Sequence, residues 1–362
     1  VPFQRLRRFG KAGLLMLAFC GLCGGLCSEV MAQDADRKSA ENKPEQQVEQ
    51  KTEQKMCAEL LQPYPFAVKR QSLSNKIEIA YVDEGPNPVA GAAPHAVAET
   101  FVFVHGLASY LRAWDKTIEE LKKEHRCLAL DLPGYGRSSM TTGITKSVGI
   151  KMYAGVIAEW MDSLRLERVV LVGHSLGGQI AMRLALTLNA AKKIKRLVLI
   201  DPAGIETFNE AHRQFINERY TTRYTKGKPD AIVQSDYERG FFKFPKDAQF
   251  MVQDRLAMKN GSDFDVYCAV IAECVHASVN EPVFSELGNI KVPTLVMYGA
   301  EDNMIPNSLM HPELNTIDIA KLAQKKIKGS KLVMLPDCGH FAGYECASAT
   351  ANAIRAFLKT AR

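Results

Sequence analysis

From about Pro63 to the C-terminal end, short continuous apolar runs alternate with longer amphipathic stretches, the texture of a mostly parallel sheet covered by helices on both faces. The runs predict strands at 76–85 (KIEIAYVDEG), 100–106 (TFVFVHG), 126–134 (RCLALDLPG), 168–174 (RVVLVGH), 195–204 (KRLVLIDPAG), 292–302 (VPTLVMYGAED) and 330–340 (SKLVMLPDCGH). Apolar positions at helical spacing predict helices over 113–124, 147–164, 176–190 and 345–359. From Ile205 to about Asn289 the alternation stops. That stretch is helical in texture and rich in aromatic residues, among them Phe208, Phe215, Tyr220, Tyr224, Tyr237, Phe241, Phe242, Phe244 and Phe250, which predicts a cap inserted after a strand. Its aromatics form either the cap's own core or a lipid-binding face, with core the commoner use of such stripes.

The first 62 residues depart from this pattern. A basic start (VPFQRLRRFGK) runs into GLLMLAFCGLCGGLC and then Val30-Met31-Ala32, an A-x-A-like cleavage pattern that predicts a signal peptide over 1–32, cut after Ala32. The apolar run falls short of the roughly 20 residues a spanning helix needs. Retention as an N-terminal anchor, holding the chain at a membrane through an uncleaved N-terminus, is the alternative. A lipidated cysteine fits less well, because Cys20, Cys23 and Cys27 follow Phe19, Leu22 and Leu26 rather than small residues. Residues 33–62 begin with QDADRKSAENKPEQQVEQKTEQKM, too polar to offset the entropy of ordering, and read as a linker to a domain over 63–362.

Composition adds bounds rather than chemistry. The chain has 362 residues, 46% hydrophobic and 24% charged, as an ordinary globular protein does. Half of its net charge of +6 belongs to residues 1–32, and the remainder is too small to argue for nucleic acid. Six cysteines follow the N-terminal segment (Cys57, Cys127, Cys268, Cys274, Cys338 and Cys346), which an exported protein could pair or keep as buried thiols. Oligomeric state is not legible.

The chemistry lies in VVLVGHSLGGQIAM (169–182), where Gly173-His174-Ser175-Leu176-Gly177 forms G-x-S-x-G between an expected strand and an expected helix. A tight turn there lifts a hydroxyl above the sheet edge, with the following helix directing its N-terminus at developing negative charge. A bare helix-capping serine would explain the pentapeptide alone. A nucleophilic serine also needs a base and an acid to orient it, and His340 (in DCGHF) and Asp302 (in YGAEDNMIP) both follow strands, at the carboxyl edge where open α/β sheets bind ligands. Asp201, ending LIDPAG, is the rival acid, and His105, ending TFVFVH, the rival base whose position suits shaping a loop.

On these residues the chain resembles the α/β-hydrolase family from about Phe66 to Leu358, with a serine esterase or lipase as the nearest kind. DLPGYGRSS (131–139), GAEDNMIP, GHFAGYE with Glu345 five residues after the histidine, and the order Ser, Asp, His all match family landmarks. The resemblance implies an α/β fold with an inserted helical cap, and an oxyanion hole formed by the backbone N–H groups of Leu107 and Leu176. It also implies acyl transfer from a small-molecule or lipid-like ester, since dehalogenases and epoxide hydrolases of the family carry Asp where Ser175 stands. Meta-cleavage C–C hydrolases, prolyl iminopeptidases, acyltransferases and a non-catalytic binding protein are the competing readings. No cofactor or metal is expected, because GYGRSS lacks a third glycine and neither GK[ST] nor HExxH occurs.

Overall fold

The computed structural model describes residues 54–86, 99–141 and 143–360; the expected signal peptide and most of the linker lie outside the described residues. The strands are β1 (Lys69–Ser72), β2 (Glu78–Glu84), β3 (Thr100–Val104), β4 (Arg126–Leu130), β5 (Val169–His174), β6 (Ile194–Ile200), β7 (Thr294–Gly299) and β8 (Lys331–Leu335). They form one sheet in the order β1-β2-β4-β3-β5-β6-β7-β8. β2 pairs antiparallel with both β1 and β4, and every other pairing is parallel.

The continuous apolar runs bury both faces. Val102 and Val104 of β3, Leu171 of β5 and Leu197 and Leu199 of β6 enter one core, while Phe101, Phe103, Val170, Val172, Val198 and Ile200 enter the other. The Ile150–Ser163, Leu176–Ala185 and Thr316–Lys326 helices cover the first face. The Asp115–Leu121 and Ala347–Thr360 helices cover the second. The expected strands appear with shorter C-terminal ends, since pairing stops where the chain leaves for the loops, and the expected 176–190 helix is divided into Leu176–Ala185 and Leu188–Ala191.

Two elements go beyond the apolar pattern. β1 (KRQS) has no buried residue and is held at the sheet edge by backbone pairing to β2, so hydrophobic periodicity carries no sign of it. The Thr316–Lys326 helix between β7 and β8 did carry a signal, an Asn315/Asp318 capping box ahead of buried Ile319, Ala320 and Ala323.

Between β6 and β7 the chain forms five α-helices, Glu210–Arg219, Thr222–Lys226, Asp230–Arg239, Gln249–Ala257 and Phe264–Asn280. Tyr237, Phe241 and Phe250 build a separate core with Tyr110, Phe341 and Tyr344, whereas Phe215 and Phe242 are exposed. Three of the nine expected insertion aromatics are thus buried in internal packing, with Phe244 partly buried against them. Residues 54–62, the end of the expected linker, pack on this insertion: Cys57 and Leu61 are buried, the Cys57 N–H donates to Asp263 (2.7 Å) and the Gln62 N–H to Asp254 (3.0 Å).

Candidate active site

β5 ends at His174 and the Leu176–Ala185 helix begins at Leu176, which leaves Ser175 alone to make the turn. Its backbone sits at φ 52°, ψ −121°, a region costly for any side chain and found where surrounding contacts enforce it. Those contacts are present: the Ser175 N–H donates to Ile200 (3.1 Å), and its carbonyl accepts from Gly178 and Ala203 (2.9 Å each). The flanking glycines are steric necessities. A Cβ at Gly173 would lie 2.4 Å from the Gly177 carbonyl oxygen, and one at Gly177 would lie 2.3 Å from that of Val104. The turn is therefore pressed against the end of β3, where His105-Gly106-Leu107 begins. Leu107 and Leu176 each keep a backbone N–H without a hydrogen-bond partner among the described residues.

His340 follows β8 and Asp302 follows β7, and the structure joins them directly, His340 Nδ1 to Asp302 Oδ2 at 2.9 Å, both side chains buried. Asp302 Oδ1 accepts from the N–H groups of Met304 (2.7 Å) and Ile305 (3.2 Å), so the carboxylate is fixed by its own loop. With the Nδ1 proton facing Asp302, Nε2 is the ring nitrogen left as an acceptor.

The loop bearing His340 is tied on three sides. His174, kept neutral by burial, places Nε2 2.8 Å from the His340 carbonyl, with the two rings 4.8 Å apart. A disulfide joins Cys338 to Cys346 around the histidine, while Cys57, Cys127, Cys268 and Cys274 are buried free thiols. Burial raises all four thiols, Cys268 and Cys274 to about 11, which makes them inert. Glu345 accepts from Gly339 (2.8 Å) on this loop and from Phe242 (3.1 Å) and Lys243 (2.7 Å) on the insertion. Phe341 adds an N–H bond to the Gly240 carbonyl (3.1 Å) and a stack on Phe241 at 4.8 Å. Sequence reasoning marked Glu345 as a landmark without its task, and it found no signal for Tyr237, whose hydroxyl holds the Ala108 carbonyl at 2.6 Å beside Leu107.

The rivals sit differently. His105 is fully buried, accepts the Leu132 N–H at Nε2 (3.0 Å) and is pushed down to about 4 by burial, so it braces two loops as a neutral ring. Asp201 is buried with Oδ1 on the Gly299 N–H (2.7 Å), and burial together with the Asp302 charge pushes its carboxyl well above the ordinary range. Burial and the neighbouring charge thus favour its uncharged form, and the hydrogen bond to His340 is made by Asp302. Asp201, Asp302 and His340 place ligand atoms within 4.8 Å of one another, the one such set among the described residues that could hold a metal ion. In Asp302 both oxygens are already occupied by hydrogen-bond donors. A groove of about 630 Å³ is lined by the Asp115–Leu121 helix and residues 344–349, and neither Ser175 nor His340 lines it.

A model of the alpha/beta hydrolase fold matches residues 99–346, more than half of the chain. The chain belongs to the alpha/beta hydrolase fold family. It is 26% identical over 264 residues to the dihydrolipoyllysine-residue acetyltransferase component of the acetoin cleaving system of Cupriavidus necator, covering 72% of this chain and 63% of that protein. Matches to the first curated relatives span between 49% and 63% of those proteins' lengths. Among solved structures, a bacterial membrane phospholipase A matches with a TM-score of 0.64 at 23% identity, covering 82% of this chain and 86% of that one. An esterase from Exiguobacterium antarcticum matches with a TM-score of 0.63 at 19% identity, covering 81% of this chain and all of the esterase chain (100%). At such identities these likenesses establish the fold, and other relatives bear names of different activities, among them a 2-hydroxy-6-oxononadienedioate/2-hydroxy-6-oxononatrienedioate hydrolase of Escherichia coli, 25% identical over 284 residues.

Proposed function

We propose that this family member is an exported serine hydrolase that cleaves a carboxylic ester through an acyl-enzyme. The observation that carries the reading is the buried Asp302–His340 pair at the same sheet edge as the strained Ser175 turn, with two unpaired amides at Leu107 and Leu176. Ser175 Oγ attacks the ester carbonyl as its proton passes to His340 Nε2. The carbonyl electrons collect on an oxyanion held by the Leu107 and Leu176 N–H groups, and Asp302 stabilises the imidazolium. Collapse breaks the C–O bond to the leaving alcohol, which takes the proton from His340. Water, deprotonated by the same nitrogen, then releases the acid and restores Ser175.

Two further features support narrower statements. The aromatic insertion against the His340 loop favours an apolar acyl group in a small-molecule or lipid-like ester. The basic, apolar and small-residue succession over 1–32 favours export.

The test is hydrolysis of an activated ester. Ser175→Ala or His340→Ala should lower kcat by about a thousandfold or more while circular dichroism shows a folded chain. Asp302→Asn should cost more than Asp201→Asn. Near wild-type turnover in folded Ser175→Ala would remove the nucleophile from the reading, and a larger loss at Asp201 would move the acid.

A further inference from the structure

The Leu107 amide expected in the oxyanion hole lies in a strained turn. Gly106, just before it, is pressed against the nucleophile, where an added Cβ would come within 2.9 Å of the Ser175 Cβ. The Leu107 N–H shares a peptide plane with the Gly106 carbonyl, so whatever orients that carbonyl aims the amide. Two groups meet the carbonyl, His105 Nδ1 at 2.9 Å and the Ser109 N–H at 3.4 Å. The second closes a four-residue turn over 106–109 and is longer than an amide hydrogen bond usually is. Ala108, third in that turn, stands at φ 53°, where glycine is favoured and a Cβ is costly. A strained turn closed by a long bond needs a further contact to persist.

The insertion supplies that contact. Tyr237, on the Asp230–Arg239 helix, donates its hydroxyl to the Ala108 carbonyl at 2.6 Å. This carbonyl shares its peptide plane with the Ser109 N–H, so the bond fixes the donor that closes the turn. Burial raises the phenol above its ordinary range, and the hydroxyl keeps the proton it donates. Tyr110 adds a second tie through its hydroxyl, 2.6 Å from Asp254 on the Gln249–Ala257 helix. The Tyr237 ring also stacks on Phe341, the residue after His340, with centroids 6.4 Å and planes 25° apart. One side chain of the insertion therefore meets both the Leu107 turn and the histidine loop.

We propose that Tyr237 is a positioning residue for the oxyanion hole: it holds the 106–109 turn in its strained form, so that the Leu107 N–H meets the developing oxyanion. Stabilisation of the transition state then depends on where the insertion sits. This rests on the hydrolase reading above. Losing Tyr237 costs turnover rather than substrate affinity, because the ester oxygen demands a strong donor only as it becomes an oxyanion.

Tyr237→Phe tests it, since the ring stays on Phe341 and only the donor goes. On 4-nitrophenyl butyrate the variant should lose about 10- to 30-fold in kcat with KM changed less than about twofold. The thiono analogue, with sulfur replacing the carbonyl oxygen, is the control, because sulfur accepts hydrogen bonds weakly and gains little from the hole in either protein. Its kcat/KM should fall less than about threefold, so that the preference for the oxygen ester shrinks. Adding Ala108→Gly to Tyr237→Phe should regain at least about threefold in kcat, since glycine takes φ 53° without strain. Equal losses on the two esters, a loss expressed in KM, or no recovery in the double variant would overturn the proposal and leave Tyr237 a packing residue. Amide hydrogen exchange over 105–110, followed by mass spectrometry in the wild type and in Tyr237→Phe, separates the proposal from the reading beneath it. Exchange that quickens with the substitution in a protein that hydrolyses neither ester sinks the hydrolase reading and keeps Tyr237 as the residue that orders the turn. Unchanged exchange with ordinary hydrolysis by both proteins does the reverse.

Discussion

Glu206 stands where the chain leaves β6 for the insertion, its side chain only 8% exposed, with Oε1 accepting the Asn307 N–H at 2.8 Å and lying 3.5 Å from His311 Nε2. Burial pushes its carboxyl from 4.5 up to about 7; the Asn307 amide pulls against that shift and the Asp302 charge adds to it. Because the folded value lies above the unfolded one, the folded state holds more protons than the unfolded state between these limits. The stability tied to Glu206 is thus complete below about pH 4.5 and falls as pH rises toward about 7. Glu206→Gln keeps the carbonyl that Asn307 needs and removes the titration. The variant should gain on the wild type by about 2–3 kcal/mol across that interval, read as a divergence of their melting temperatures between acid and neutral pH. Parallel curves would show that Glu206 ionises as freely folded as unfolded.

At the scale of elements, the His340 loop and the insertion are one mechanical unit joined by Glu345. Its carboxylate accepts from three backbone N–H groups, one beside the histidine and two on residues 242–243. Glu345→Ala should therefore leave the Gly339 donor unmet and release the exposed Phe242 and Lys243 donors to solvent, lowering stability by about 1–2 kcal/mol, with kcat falling about 10- to 100-fold as His340 loses its placement. Thermal unfolding with steady-state kinetics checks both, and Glu345→Gln should fall between the two proteins. The Cys338–Cys346 disulfide closes the same short loop, with eight residues of sequence separation. Reducing it should cost about 2–3 kcal/mol on the chain-entropy estimate, read as a lower melting temperature in dithiothreitol that Cys346→Ser reproduces without reductant. An unchanged melting temperature would place the loop's order elsewhere.

For the whole molecule the N-terminal pattern makes the sharpest prediction: N-terminal sequencing of the exported form should find Gln33 first, whereas an uncut chain in the membrane fraction would favour the anchor. Among the described residues no helix is long and apolar enough to cross a membrane. Much of the domain was legible along the chain, because each buried strand had to be a continuous apolar run and a serine between β5 and its helix had to be flanked by glycines. The order Ser175, Asp302, His340 was legible too, since each residue follows a strand and all the strands after β2 point one way. β1 was not, because a polar edge strand is held by backbone bonds that leave no hydrophobic period. Nor could spacing choose between Asp302 and Asp201 or pair Cys338 with Cys346. Those outcomes depend on which groups meet in space: Asp302 faces the imidazole and stands on two backbone amides, while burial and the Asp302 charge push the Asp201 carboxyl toward its uncharged form. Local pattern determined the elements and where along them the candidate site residues fall, and tertiary packing alone decided which of those residues meet and how burial shifts their charges, because desolvation and partner distance are properties of the folded surroundings rather than of neighbours along the chain.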